Sequence, residues 1–82
     1  MKDWKASKVH TAKQFRRDKD LRGGYIFVFG SQVVGWHMQL PPPDYFIPDT
    51  IAVGASGEVW VATGGDDYDG ATIWIHEHGA TA

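Results

Sequence analysis

Two apolar stretches, YIFVF at 25–29 and QVVGWHM at 32–38, set β-branched and aromatic residues at strand period on either side of Gly30-Ser31. A two-residue loop that begins with glycine suits a type II′ turn, whose backbone twist matches that of the strands it joins. Pairing about that turn predicts Val28 opposite Val33, Phe27 opposite Val34 and Tyr25 opposite Trp36. One face of the hairpin then reads Tyr25, Phe27, Phe29, Val34 and Trp36, and the other Ile26, Val28, Val33 and His37. Both faces are apolar, so the hairpin is expected to lie centrally, with a helix on one side and a further layer or a partner on the other. Gly35, inside the second strand, marks a bulge or the close approach of another backbone.

Upstream of Gly24 no strand alternation is present, and the signals are helical. Thr11 followed three residues later by Gln14 fits a capping box, Asp18 and Arg22 are spaced to pair across one turn, and Gly23-Gly24 supplies a stop. These predict a helix over 12–21. Its apolar stripe of Ala12, Phe15 and Leu21 is thin, so the helix should dock on a sheet through one or two anchors. Residues 1–10 read as a short edge strand anchored by Trp4 and Val9, or as a mobile basic arm.

Downstream, LPPPDYFIPD at 40–49 cannot be an interior strand, because consecutive prolines lack backbone donors and hold an extended form. It reads as a rigid crossover between hairpins, or as a presented ligand with Tyr45 and Phe46 as its contact surface. Ile51–Val53 and Glu58–Thr63 follow as strands joined through Gly54-Ala55-Ser56-Gly57, and a last strand over Ala71–His76 returns from the loop GGDDYDG. IAVGASGEVWVATGG resembles a blade hairpin of a β-propeller over about fifteen residues; one copy cannot close a propeller, so it predicts a hairpin alone. The expected fold is α+β: one domain over 1–82, with an N-terminal helix packed on a four- or five-stranded antiparallel sheet built from hairpins.

Length limits what this fold can hold. At 82 residues a chain buries only roughly 60 to 65% of the surface its unfolded form exposes, so a deep catalytic cleft competes with the core for side chains and a surface function is favoured. The chain has no cysteine, which removes disulfides, thiol nucleophiles and zinc–thiolate sites and fits a reducing cytoplasm. Neither a signal peptide nor a run of about 20 apolar residues is evident, so no membrane association is expected.

Charge changes the picture more than composition does. Lys2, Lys5, Lys8, Lys13, Arg16, Arg17, Lys19 and Arg22 are all the basic residues, and against Asp3, Asp18 and Asp20 they leave 1–22 at +5. Residues 23–82 carry Asp44, Asp49, Glu58, Asp66, Asp67, Asp69 and Glu77 with no Lys or Arg, a charge of −7. Such asymmetry points to charged partners, unless the two parts face and neutralise each other in the fold. Two binding readings follow. In the first, a rim of Asp66, Asp67, Tyr68 and Asp69 with Asp44, Tyr45 and Asp49 docks on a basic surface of a protein complex, one that otherwise holds nucleic acid. In the second, Lys8, Lys13, Arg16, Arg17, Lys19 and Arg22 track a nucleic-acid backbone while Trp4, Phe15 or Tyr25 stacks on bases. The −7 body would repel the rest of that strand, which favours the first reading.

Site chemistry offers less. A calcium loop needs an acid at its first position and a carboxylate six residues past its glycine; Asp67, Asp69 and Gly70 fit, but Gly65 and His76 stand where those ligands belong. His76 and His78 project to one face of an extended strand and are candidate transition-metal ligands, with His10, His37 or an acid needed to complete the set. No spacing requires that, and no metal or cofactor is expected. His37 near Ser31 or Asp44 lacks a nucleophile elbow, a phosphate-cradling loop or paired-carboxylate spacing, so the chain is read as non-enzymatic.

In its size, its acidic loop and its lack of an enzyme motif, the chain resembles the small phage-encoded anti-defence proteins, such as anti-CRISPR inhibitors. That resemblance is one of general character and transfers no residues. It implies a stoichiometric protein-binding inhibitor acting in a host bacterial cytoplasm, as a monomer or a homodimer seeded by exposed apolar surface. A small phage structural or assembly protein would share the same features.

Overall fold

The computed structural model describes residues 4–77. Helix α1 spans Trp4–Lys19, and the strands are β1 Tyr25–Phe29, β2 Gln32–His37, β3 Ile51–Gly54, β4 Val59–Thr63 and β5 Ile73–His76, with a 3-10 turn at Pro43–Tyr45. All strand pairs are antiparallel, in the order β2-β1-β3-β4-β5. The protein is thus an α+β fold, one N-terminal helix on a five-stranded antiparallel sheet.

The helix begins earlier and ends earlier than the sequence predicts. Residues 4–10 are helical and not an edge strand. Thr11 consequently sits inside the helix, where its hydroxyl donates to the Ser7 carbonyl at 3.1 Å instead of capping a terminus. At the other end the chain turns at Asp20, whose φ of 55° is left-handed. The Asp20 N–H bonds the Arg17 carbonyl at 3.2 Å and the Leu21 N–H bonds the Arg16 carbonyl at 3.0 Å, which together form a Schellman motif. Because the helix stops there, Asp18 and Arg22 do not pair; Arg22 instead lies 3.7 Å from Asp20.

One sheet face packs on α1. Val9 and Ala12 of the helix meet Ile26, Val28, Ile51, Val53 and Val59, with Phe15, Leu21, Val33, Trp36 and Val61 around them. Ile26, Val28, Ile51 and Val59 are fully buried, and each contributes roughly 1.5–3 kcal/mol.

The hairpin forms about Gly30-Ser31 with Val28 opposite Val33 as predicted, and Gly30 alone of the two takes a left-handed φ (63°), the II′ pattern. One residue further the register shifts: Phe27 faces Gly35 and Tyr25 faces His37. This bulge absorbs Val34 and exchanges the faces of the next two side chains, since strand residues alternate. Trp36 therefore joins the helix side with Ile26, and His37 lies edge-on to Phe27 at 5.4 Å, the reverse of the predicted sides. β1 is interior, whereas β2 is an edge strand.

The second face is covered by the proline-rich segment, which crosses over β1 to carry the chain from β2 to β3. Phe46 stacks on Phe27, and the Trp74 indole N–H donates to the Pro41 carbonyl at 2.7 Å. Residues 40–49 are thus the rigid crossover, and of its two aromatic residues Tyr45 is exposed while Phe46 is turned inward. The end of the sheet where β4 leaves and β5 enters lies beneath this crossover, and the acidic loop emerges there.

Candidate functional site

The loop between β4 and β5 is tied down from within and from outside. Asp66 and Gly70 exchange main-chain hydrogen bonds at 3.3 and 2.9 Å, and Asp66 Oδ1 accepts the N–H groups of Tyr68 (3.0 Å) and Asp69 (2.7 Å). One aspartate thereby organises the turn that presents the other two, the local role for which short acidic side chains are suited. Beyond the loop, the Ala71 N–H donates to the Phe46 carbonyl at 2.8 Å, and Thr72 bonds the Thr63 carbonyl through both its N–H (2.9 Å) and its hydroxyl (3.2 Å).

Gly70 makes the junction with the crossover. Its φ is +86°, and a Cβ there would run into the Asp44 main chain, so glycine is required both by conformation and by the closeness of the second segment. This contact sets Asp44 and Tyr45 beside the loop. Between the two segments lies an open cleft of about 480 Å³ lined by Pro42, Pro43, Asp44, Gly65, Asp69, Gly70, Ala71 and Thr72.

The predicted rim is therefore largely assembled. Asp66, Asp67, Tyr68 and Asp69 are exposed, Tyr68 at 94% and Tyr45 at 67%. Asp44 and Asp69 share the cleft. Asp49 is apart from it: it lies at the same end of the sheet, with its N–H on the Ala62 carbonyl at 2.9 Å and a left-handed φ of 80°. None of the five aspartates makes an ion pair with another described residue.

The basic segment is less uniformly available. Arg16 is half-buried and donates to the carbonyls of Gly23 (2.7 Å), Gly24 (3.1 Å) and Val53 (3.5 Å), so it closes the helix-to-sheet connection. Lys8 donates to the Gly30 carbonyl at 3.1 Å, and the Lys19 ammonium lies 5.9 Å from the Phe15 ring centre. Lys13, Arg17 and Arg22 are exposed, with Asp18 and Asp20 among them. Phe15 packs against the core, and the Trp4 side chain lies outside the described residues.

At the far end of the sheet, Glu58 forms a second polar group of residues. Ser56 donates to its Oε1 at 2.5 Å. That bond, with further help from its own main chain, Tyr25 and His76, holds the carboxyl below the ordinary glutamate range against a smaller opposing effect of burial. His76 lies with its ring centre 4.6 Å from that of Trp60, whose indole N–H is buried without an acceptor. His78 lies outside the described residues, and among those described no three His, Asp or Glu side chains gather to hold a metal ion. No helix among them is long and apolar enough to cross a membrane.

What sequence reading missed is the agent that joins the rim. Gly70 touching Asp44 is a contact across twenty-five intervening residues, and a glycine after an acidic run reads locally as a turn only. No family model, no curated protein and no solved structure matches the chain.

Proposed function

We propose that this protein is a non-enzymatic binding module that docks its acidic, tyrosine-bearing rim on a cationic surface of another protein, a surface of the kind that otherwise holds nucleic-acid phosphates. The observation that carries this reading is the set of exposed carboxylates Asp66, Asp67, Asp69 and Asp44, without ion-pair partners among the described residues and held in fixed relation by the Asp66 turn and the Gly70 contact. Carboxylates already ordered lose little entropy on docking, and complementary charge speeds encounter and excludes wrong partners. Tyr68 and Tyr45 add amphipathic contact area beside the charge, the usual composition of an interface centre. In this role the protein acts as a stoichiometric inhibitor, after the manner of the phage-encoded anti-defence proteins it resembles in general character.

Affinity capture from nuclease-treated bacterial lysate, read by mass spectrometry, tests it when the wild type is run beside a D66N, D67N, D69N variant. An asparagine in place of Asp66 keeps the side-chain oxygen that organises the loop, so the variant removes charge and leaves the turn. A protein complex recovered by the wild type, lost with the variant and displaced by added duplex DNA is the expected result. Equal recovery by both chains, or recovery of nucleic acid alone from untreated lysate, overturns the reading; the latter transfers the role to Lys13, Arg17 and Arg22.

A further inference from the structure

Asp69 is the one acid of the chain that is followed by glycine, and the chain contains no asparagine. The pair matters chemically because an aspartyl side chain can be attacked by the main-chain nitrogen of the next residue, and glycine offers that nitrogen with no side chain in the way. Asp69 is exposed, and its carboxylate takes no hydrogen bond from another described residue. Gly70 has no bulkier substitute, because a Cβ there would meet the Asp44 main chain. The glycine that joins crossover and loop is therefore also the residue that leaves Asp69 open to attack, and protection has to come from the fold.

The Gly70 N–H, whose hydrogen the reaction must remove, is donated to the Asp66 carbonyl at 2.9 Å. On the other side of the reacting carboxyl, the Asp69 N–H is held by Asp66 Oδ1 at 2.7 Å. Gly70 itself is buried against Asp44, so its nitrogen is not free to swing onto Asp69 Cγ. We infer that Asp69–Gly70 is a latent site of aspartyl isomerisation, held closed by the turn that Asp66 organises. In the reaction the Gly70 nitrogen forms a bond to Asp69 Cγ and a C–O bond of the carboxyl breaks; the amide hydrogen and the carboxyl OH leave as one water. Water then reopens the cyclic imide at either carbonyl carbon, giving back aspartate or leaving the main chain to run through Cγ. The second product lengthens the main chain at residue 69 by one methylene, which takes the Asp66–Gly70 and Ala71–Phe46 hydrogen bonds out of register with each other. Loop and crossover are then uncoupled, and the rim comes apart without loss of any residue.

Incubation of the full chain in heavy-oxygen water tests this, since each opening of the imide leaves one heavy oxygen at residue 69, read by mass spectrometry after chymotryptic digestion. The native wild type is run beside the same chain in strong urea, and beside Asp66→Ala and Asp66→Asn under native conditions. Reaction of a locally opened state tracks how often that state is populated, and Asp66 Oδ1 holds the N–H groups of both Tyr68 and Asp69. The expected result is uptake at least ~10-fold slower in the native wild type than in urea, and at least ~10-fold faster in Asp66→Ala than in the native wild type. Asp66→Asn, which keeps the accepting oxygen, stays close to the wild-type rate. In urea Asp69 outpaces Asp67, which precedes tyrosine. Native uptake at the urea rate overturns the inference, as does an Asp69 no more reactive than Asp67 in urea. So does a folded Asp66→Ala that keeps the wild-type rate. The two wild-type comparisons decide the matter if that variant does not fold.

Discussion

Phe46 lies flat on Phe27, their ring centres 4.5 Å apart and their planes inclined by 15°. One ring belongs to the interior strand β1 and is fully buried; the other belongs to the crossover and forms its main anchor to the sheet. Stacked aromatic pairs contribute about 0.5–1.5 kcal/mol beyond the area they bury, and truncating a buried phenylalanine costs about 3–5 kcal/mol. Phe27→Ala is therefore expected to lose stability within that range, and Phe46→Ala, half-buried, about 2–3 kcal/mol. Urea unfolding would show it as a lower midpoint at unchanged slope.

The junction between crossover and loop makes a sharper prediction. Gly70→Ala places a Cβ against the Asp44 main chain at a left-handed φ, so the two segments must part or the strain must be absorbed. The expected cost is about 1–3 kcal/mol, and the chemical shifts of Asp44, Tyr45 and Asp66 to Ala71 should move together while those of α1 stay in place. Shifts confined to residues 69–71 would show that the rim does not behave as one unit.

The sheet was readable in the sequence because its signals are local. Alternation in YIFVF and QVVGWHM, a Gly-Ser turn and the glycine-bounded strands that follow each identify an element without reference to anything distant. The bulge at Val34 was readable only in kind: Gly35 announced an irregularity, but a shift of one residue decides whether Trp36 or His37 faces the helix, and both sides are apolar enough to accept either. The helix was misplaced because Thr11 and Gln14 copy a capping box inside a helix that tertiary contacts of Val9 and Ala12 carry upstream. Likewise the acids and tyrosines of the rim could be picked out by type, while their assembly depends on Gly70 and on the Phe46 carbonyl, contacts that no spacing along the chain encodes.

Glu58 gives the stability a pH dependence of known sign. Its folded-state pKa is depressed, chiefly by the Ser56 hydroxyl, so the carboxylate contributes stability above the unfolded value of about 4.3, and that contribution is lost as pH falls through the lower folded value. Ser56→Ala should move the Glu58 titration upward toward the ordinary range and narrow the difference between the two proteins as the solution is acidified. Carboxyl titration by NMR, paired with urea midpoints at about pH 7 and about pH 3, checks both statements. An unchanged Glu58 titration in the variant would assign the depression to Tyr25, His76 and the main chain instead.

Asp20 presents a position at which two local preferences are violated together. It occupies the left-handed site just past α1, where glycine is the ordinary residue, and it sets a negative charge at the helix C-terminus, where the macrodipole already concentrates negative potential. Against this stands an exposed contact with Arg22 at 3.7 Å, and exposed pairs of that kind contribute about 0–1 kcal/mol. Asp20→Gly relieves both violations, and a gain of about 0.5–1 kcal/mol is expected. Asp20→Asn separates them, because asparagine tolerates the left-handed region much as aspartate does but removes the charge. If backbone conformation dominates, the asparagine variant melts with the wild type and the glycine variant above it. If the charge dominates, both variants melt above the wild type by similar amounts, and the difference shrinks in high salt, which screens the dipole but leaves φ untouched.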